Sequence, residues 1–404
     1  MPATRLGKSL GALCVALIAA VLGTAEIVHA QGNIELGPFR LLPSLELSGE
    51  YDDNVLLTPD NEIDDFIWII SPGLAIELPS RRYSARVGYR ADILRYMEND
   101  ELDTVHHTLL GDLRINFAGG LGLRLSDQFY ITDEFGGFPV PELTQRIERT
   151  ENTLQAGGDY TVRERYTIDL GYQWFLADYE DGFDNLDRQD HVVAAILFYR
   201  IMPKTSILGE ANYQWIRYDQ EAAARAKDSD GWRIKGGVRG DFTAKTTGIL
   251  KVGWEWKDYE NAGQEDWDGL ILEGEVIWKY REPSEVRLFA GRANLESLTD
   301  DIDVRRNNYY ISNFGGVEVR HFLTSRLILR VRGLVGVNDY PDPAAVGQTD
   351  EREDFFYEVG LGVRYQIRTW LAVEGGYQHL VRDSNFNDFD YADNRIKGSI
   401  ILTY

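Results

Sequence analysis

The chain has 404 residues, a net charge of −23 and one cysteine, with 39 glycines, 12% aromatics and three methionines. Such acidity excludes nucleic acid as a partner, which calls for a basic face, and a lone cysteine excludes disulfides and thiolate metal sites. After residue 30 no run approaches the roughly 18 apolar residues of a transmembrane helix, and no linker or composition break divides so long a chain into soluble domains.

The chain opens like a secretory signal. Arg5 and Lys8 form a basic start, an apolar run follows from Leu10 to Leu22, and Val28-His29-Ala30 supplies the small residues for cleavage before Gln31. Cys14 follows the bulky Leu13, which is unsuited to lipoprotein processing. Residues 1–30 are thus expected to be a signal peptide and residues 31–404 one domain. The signal carries Arg5, Lys8 and Glu26, a net +1, so the mature chain carries −24 and no cysteine.

From residue 43 one unit recurs: a strand, a short turn, a second strand and a long acidic loop. Strands are expected at 43–51, 66–78, 82–96, 104–117, 121–132, 150–162, 166–179, 189–201, 205–218, 230–242, 247–259, 267–280, 284–297, 307–322, 327–340, 353–367, 371–382 and 393–404. The fold class is therefore all-β, a transmembrane antiparallel β-barrel of about 18 strands, or 16 if one weak hairpin merges, since antiparallel closure needs an even number. Short connections include Pro79-Ser80-Arg81, Ala118-Gly119-Gly120 and Met202-Pro203-Lys204; long ones include Asp178 to Asp190, Asp339 to Asp354 and Asp383 to Asp393. Membrane barrels have short periplasmic turns and longer outer loops, so the acidic loops are expected outside.

Alternation sorts the two faces. In 82–96, Tyr83, Ala85, Val87, Tyr89, Ala91 and Ile93 oppose Ser84, Arg86, Gly88, Arg90 and Asp92. Arg or Lys at the lipid midplane costs roughly 2–4 kcal/mol, so the charged face points inward. Aromatics form two girdles, with Tyr83, Phe117, Tyr166, Phe242, Tyr280, Tyr365 and Tyr404 toward the turns. Trp68, Trp174, Trp215, Trp232, Trp254, Trp256 and Trp267 lie toward the loops. Three places fit poorly. His191 to Arg200 is apolar on both faces, Pro72 suggests a bulge, and Asp127 falls on the lipid face unless a bulge or early loop moves it.

The final stretch, Arg395 to Tyr404, alternates strictly. Ile400, Leu402 and the terminal ring of Tyr404 lie on the lipid side and match the signal by which the barrel-assembly machinery recognises its clients. Ser48-Gly49-Glu50-Tyr51-Asp52-Asp53-Asn54-Val55-Leu56-Leu57-Thr58, Arg149 to Asn152 and the aromatic C-terminus resemble a family of outer-membrane β-barrel porins often found in exopolysaccharide-biosynthesis loci. The resemblance implies an outer-membrane channel of a Gram-negative bacterium, in contact with lipid and lipopolysaccharide and linked to polysaccharide export. It supplies no catalytic residues.

Inward cations are the leading functional candidates: Arg86, Arg114, Arg239, Lys251, Arg287, Arg330, Arg332 and Arg364. Rings of Arg and Lys select anions in pores; alternatively, these cations pair with Asp92, Asp112, Asp241, Glu255, Glu273, Glu275 and Glu358 and hold the barrel's shape. Arg330 and Arg332 share one inner face with no acid between them. Asp383 to Asn387 starts like a calcium loop, but Asp388 and Asn394 stand where glycine and glutamate belong. No Ser-centred elbow or HExxH accompanies His106, His107, His191, His321 and His379, so neither an enzyme nor a cofactor is expected. The rival to a channel is a structural or surface-interaction barrel with a filled lumen and cation-binding acidic loops.

Overall fold

The computed structural model describes residues 34–142, 146–219, 227–260, 265–298, 309–341 and 351–404. The expected signal, the acidic stretch Asp300 to Asp303 and Asp350 lie outside the described residues. A short strand, β1 (Ile34–Leu36), pairs with β2 (Phe39–Asp52). Next come β3 (Asp65–Leu78), β4 (Tyr83–Tyr96), β5 (Thr104–Asn116), β6 (Leu121–Thr132), β7 (Arg149–Val162), β8 (Tyr166–Tyr179), β9 (Arg188–Met202) and β10 (Thr205–Tyr218). The other half contains β11 (Ser229–Asp241), β12 (Thr246–Tyr259), β13 (Trp267–Arg281), β14 (Ser284–Glu296), β15 (Tyr309–Phe322), β16 (Leu327–Tyr340), β17 (Arg352–Arg368), β18 (Leu371–Ser384) and β19 (Tyr391–Thr403).

Strands β2 to β19 form a closed barrel of eighteen. Each pairs antiparallel with its sequence neighbours, and β19 returns to β2 from Arg395↔Asp52 to Thr403↔Ser44. Closure satisfies the backbone groups that lipid cannot. Short turns gather at one end, here the turn end, and long connections at the other, the loop end.

Apolar side chains point outward all round: Val87 is 54% exposed, Leu170 57% and Ile396 57%. Such a band is stable only against hydrocarbon. Polar side chains point inward, and the expectations for Pro72 and Trp267 are corrected. The β3–β4 ladder skips Ser71 and Pro72 but resumes at Gly73↔Arg90 in the same register as Ile70↔Ile93, so Pro72 makes a gap and no bulge. Asp127 stays on the outer face, where Asn152 Nδ2 donates to it at 2.7 Å. Trp267 points inward, packed beside Tyr259, Tyr309 and Ile311, and so leaves the outer girdle. In β9 the register resolves: Val192 and Ala194 are buried inside, whereas Val193 and Leu197 are exposed outside.

Candidate functional site in the barrel lumen

Toward the turn end the lumen is lined by charge. Arg86 Nη1 lies 3.1 Å from Glu77, and Arg114 Nη2 lies 3.4 Å from Asp159. Arg124 meets Asp159 at 3.6 Å and donates to Asp169 at 2.8 Å. Arg114–Asp159 and Arg124–Asp169 each reach across an intervening strand, because inward side chains on a curved wall converge, whereas Arg86–Glu77 and Arg124–Asp159 join adjacent strands. A cavity of about 480 Å³ holds Arg114, Arg124, Asp159, Asp169, Arg200, Lys204 and Arg239. Lys204 pairs with Asp241 at 3.0 Å. Among the described residues no carboxylate pairs with Arg200 or Arg239. Arg239 lies 5.5 Å from the Phe198 ring centroid instead.

The other candidate cations also face inward, and each has a carboxylate. Lys251 Nζ lies 2.9 Å from Glu210 and 3.1 Å from Glu273. Arg287 donates to Glu275 at 2.6 Å and Glu318 at 3.0 Å, and Arg364 meets Glu374 at 3.5 Å. Arg330 and Arg332 correct the expectation of a bare cationic pair. Arg330 reaches Glu374 at 2.6 Å, while Arg332 reaches Glu318 at 2.6 Å and Glu358 at 3.0 Å. These acids sit on β15, β17 and β18, so no spacing within β16 reveals them.

The loop end is different. The connection between β6 and β7 turns into the barrel and crosses to the opposite wall, since β6 and β15 lie nine strands apart in a ring of eighteen. Gly137 makes the turn with φ +133°, and a Cβ there would lie 2.3 Å from Glu142 N. Tyr310 OH donates to Phe138 O at 2.5 Å, Tyr391 OH to Pro141 O at 3.1 Å and Arg382 Nη1 to Pro141 O at 2.8 Å. Glu142, only 2% exposed, accepts from Ser297 Oγ at 2.6 Å, Leu298 N at 2.9 Å and Tyr340 OH at 3.3 Å. Arg149 Nη1 donates to Glu134 O and pins the base of this loop. Val140 joins Leu57, Phe289, Phe314, Leu334, Phe356, Leu380 and Tyr391 in an apolar cluster inside the barrel, flanked by Phe135 and Phe138.

The stretch Ser48 to Thr58 supplies a second insert. Asp53 accepts from Asn394 N at 2.6 Å and Asn394 Nδ2 at 2.7 Å, and Asp52 lies 3.1 Å from Arg395 Nε. These bonds lock β2 to β19. Asn54 Nδ2 then donates to Thr58 O and Ala392 O, each at 2.9 Å, and tucks Val55 and Leu57 into the lumen. Asp52, Asp53 and Asp393 gather closely enough for a metal ion, and Arg395 already sits among them, 3.1 Å from Asp52 and 2.7 Å from Asp393. Oxygens of Asp383 to Asn387 are used in protein bonds: Ser384 Oγ accepts from Phe386 N at 3.2 Å, and Asn385 Oδ1 accepts from Glu353 N of β17 at 2.9 Å.

Each of the five candidate histidines has a local partner. His107, His191 and His321 each share a hydrogen bond with a tyrosine, Tyr89, Tyr172 and Tyr280, at 2.8, 2.9 and 2.6 Å. His379 lies 3.3 Å from Tyr357 OH. His106 is buried against Asp133. At the C-terminal strand Ile400 is 47% and Tyr404 61% exposed, and Tyr404 N donates to Pro43 O at 3.1 Å.

Sequence reading missed the Phe135 to Pro141 loop. Its signal was present: it is an apolar, Gly- and Pro-rich connection among acidic ones.

No curated protein sequence matches the chain. Among solved structures, Acinetobacter baumannii OccAB4 is similar at a TM-score of 0.49 and 10% identity, covering 92% of this chain and 99% of that one. The outer-membrane protein OpdK from Pseudomonas aeruginosa is similar at 0.46 and 12%, covering 90% and 99%. The family model described as Putative beta-barrel porin 2 matches residues 28–403. The chain belongs to that β-barrel porin family.

Proposed function

We propose that this barrel is an outer-membrane channel for polar solutes, with anions favoured near its turn end. The carrying observation is the closed eighteen-strand wall around a charged cavity in which Arg200 and Arg239 lack carboxylate partners among the described residues. Unpaired cations in a water-filled constriction attract anions, whereas the paired Arg86, Arg114, Lys251, Arg287, Arg330, Arg332 and Arg364 mainly brace the wall. In this reading a signal peptide exports the chain, Ile400, Leu402 and Tyr404 guide assembly, and the acidic loops face outward beside lipopolysaccharide. The polysaccharide-export role rests on the family resemblance; a saccharide chain crosses only if the inserts at the loop end move aside.

A second reading has its own support: the apolar cluster around Val140 and Leu57 favours a barrel with a filled lumen. Planar-bilayer recording separates the two. The channel reading expects conductance with modest anion preference, stronger at high salt, where the acidic loops are screened first. Insertion without conductance overturns it and leaves the filled barrel. Orientation is tested by epitope tags on intact cells: accessible at Asp181 and Asp228, inaccessible at Lys204 and Lys245.

A further inference from the structure

The ladder between β13 and β14 stops short of the loop end. It runs from Arg281↔Ser284 to Leu272↔Arg292 and no further. Both strands continue: Trp267 to Ile271 keep their partners on β12, and Ala293 to Glu296 keep theirs on β15. Only the seam between them parts.

Side chains show where β14 goes. Arg287 and Phe289 point inward, so Asn294 and Glu296 would point outward in a regular wall. Instead Lys257 Nζ, on the inner face of β12, donates to Asn294 Oδ1 at 3.2 Å and also to Glu296. Tyr218 OH donates to Glu296 at 3.2 Å. The loop end of the β14–β15 hairpin has swung inside the barrel, and Tyr309, Tyr310, Ile311 and Ser312 are all buried.

The outer face is unusual at the same place. Arg292 Nε donates to Leu270 O at 3.1 Å, a carbonyl on the parted edge. Its Nη1 donates to Asn313 Oδ1 at 2.5 Å, and Asn313 Nδ2 donates to Asp339 at 3.2 Å. On β12, next to the seam, Trp254 and Trp256 are 40% and 44% exposed, and farther round the wall Tyr213 and Trp232 meet as a tilted pair at 4.9 Å. The ladder and the girdle therefore break together.

An open edge and three polar side chains are tolerated beside hydrocarbon only where polar matter meets them. We propose that this seam is a lateral portal between lumen and lipid leaflet, admitting the head group of an amphiphile whose chain stays in the bilayer. The proposal rests on the reading of the chain as an outer-membrane barrel. Arg292 offsets Asp339, Asn313 adds an amide, and the Asp268 carboxylate on the parted edge is held by Trp254 Nε1 at 3.0 Å; this array of donors and acceptors suits a hydroxyl-rich head group without charge of its own. Asn294, Glu296, Tyr309, Tyr310 and Ile311 cover it from inside.

Two measurements test this in native membranes and liposomes. Gly269→Cys with Leu295→Cys face each other if the ladder is extended in register. Under mild oxidant this pair stays unlinked, while the control Val276→Cys with Leu288→Cys forms a disulfide; equal linkage of both pairs means a sealed wall and overturns the portal. Maleimide labelling of Leu270→Cys is then slowed severalfold by submicellar dodecyl maltoside, and little by dodecyl phosphate or dodecyltrimethylammonium. Protection by none overturns the portal, and stronger protection by a charged amphiphile overturns its head-group preference. A protein that never conducts yet gives the unlinked pair and the maltoside protection loses the channel reading and keeps the portal.

Discussion

The two ends of the lumen use the same strands and treat them differently. Toward the turns, inward positions carry Arg114, Arg124, Arg200 and Arg239, which line a cavity of about 480 Å³. Toward the loops, inward positions on β14 to β18 carry Phe289, Phe314, Leu334, Phe356 and Leu380, and a loop from the opposite wall packs on them. The difference shows how a barrel can be strong and selective at once. Charged pairs at the wet end are individually weak, each typically worth about 0–1 kcal/mol when exposed. The dry end is held by burial, where each lost large side chain costs about 3–5 kcal/mol. In the proposed channel, selectivity belongs to the first region and closure to the second.

The sharpest way to break this division is to remove the closure. Replacing residues 135–141 with a short Gly-Ser linker is expected to raise single-channel conductance severalfold. The barrel should keep its heat-dependent shift on gels, because the eighteen-strand ladder does not need the loop. An unchanged conductance places the constriction elsewhere.

Glu142→Ala tests the same region more gently. It leaves Ser297 Oγ, Leu298 N and Tyr340 OH without their carboxylate, and an unmet buried donor costs about 1–3 kcal/mol. Brief openings should become frequent in bilayer recordings. Records as quiet as those of the parent protein contradict the role given to Glu142.

Two charge reversals sharpen the other side. Arg330→Glu with Arg332→Glu sets new carboxylates against Glu374, Glu318 and Glu358, so thermal stability in detergent should fall. Arg239→Glu meets no such partner among the described residues and should shift ion preference toward cations with stability kept. The opposite ranking of the two melting temperatures refutes the distinction between bracing and selecting cations.

The smallest effect is a pH response outside the membrane. Burial pushes the Asp187 carboxyl up to about 6, helped by Asp178, Asp184 and Asp219, although Tyr179 N donates to it at 2.7 Å. Between the usual carboxylate range and about 6 the folded loop holds a proton that the unfolded loop lacks. Its stability therefore rises as pH falls from 7 toward 4. Amide exchange at Tyr179, corrected for its intrinsic rate, should slow on acidification, and Asp187→Asn should flatten that dependence.

Strands were legible because lipid enforces alternation: β6, β8, β10 and β16 run over the residues their periodicity predicts. What the pattern hides is whatever crosses the ring. Glu374 sits two strands from Arg330 and Glu318 one strand from Arg332, so their pairing depends on a register that single strands do not display. Phe356 and Leu334 occupy inward positions, where apolar residues look like noise until the inserted loop gives them a partner. Trp267 was assigned to the girdle by its place near a strand end; alternation puts it on the inner face with Glu273 and Glu275, opposite the inward Lys257 of β12. Asp127 was read correctly as outward, and Asn152 supplies the hydrogen bond that a bulge was expected to make unnecessary.

The division of the lumen is tested most directly by a charged thiol reagent on Arg239→Cys, since the expected mature chain has no other cysteine. Labelling rates are compared from the two sides of a planar bilayer, with a parallel Thr243→Cys protein at an exposed turn marking the turn side. Rapid modification from the turn side and very slow modification from the loop side is the predicted result. Equal rates from both sides contradict a closed loop end.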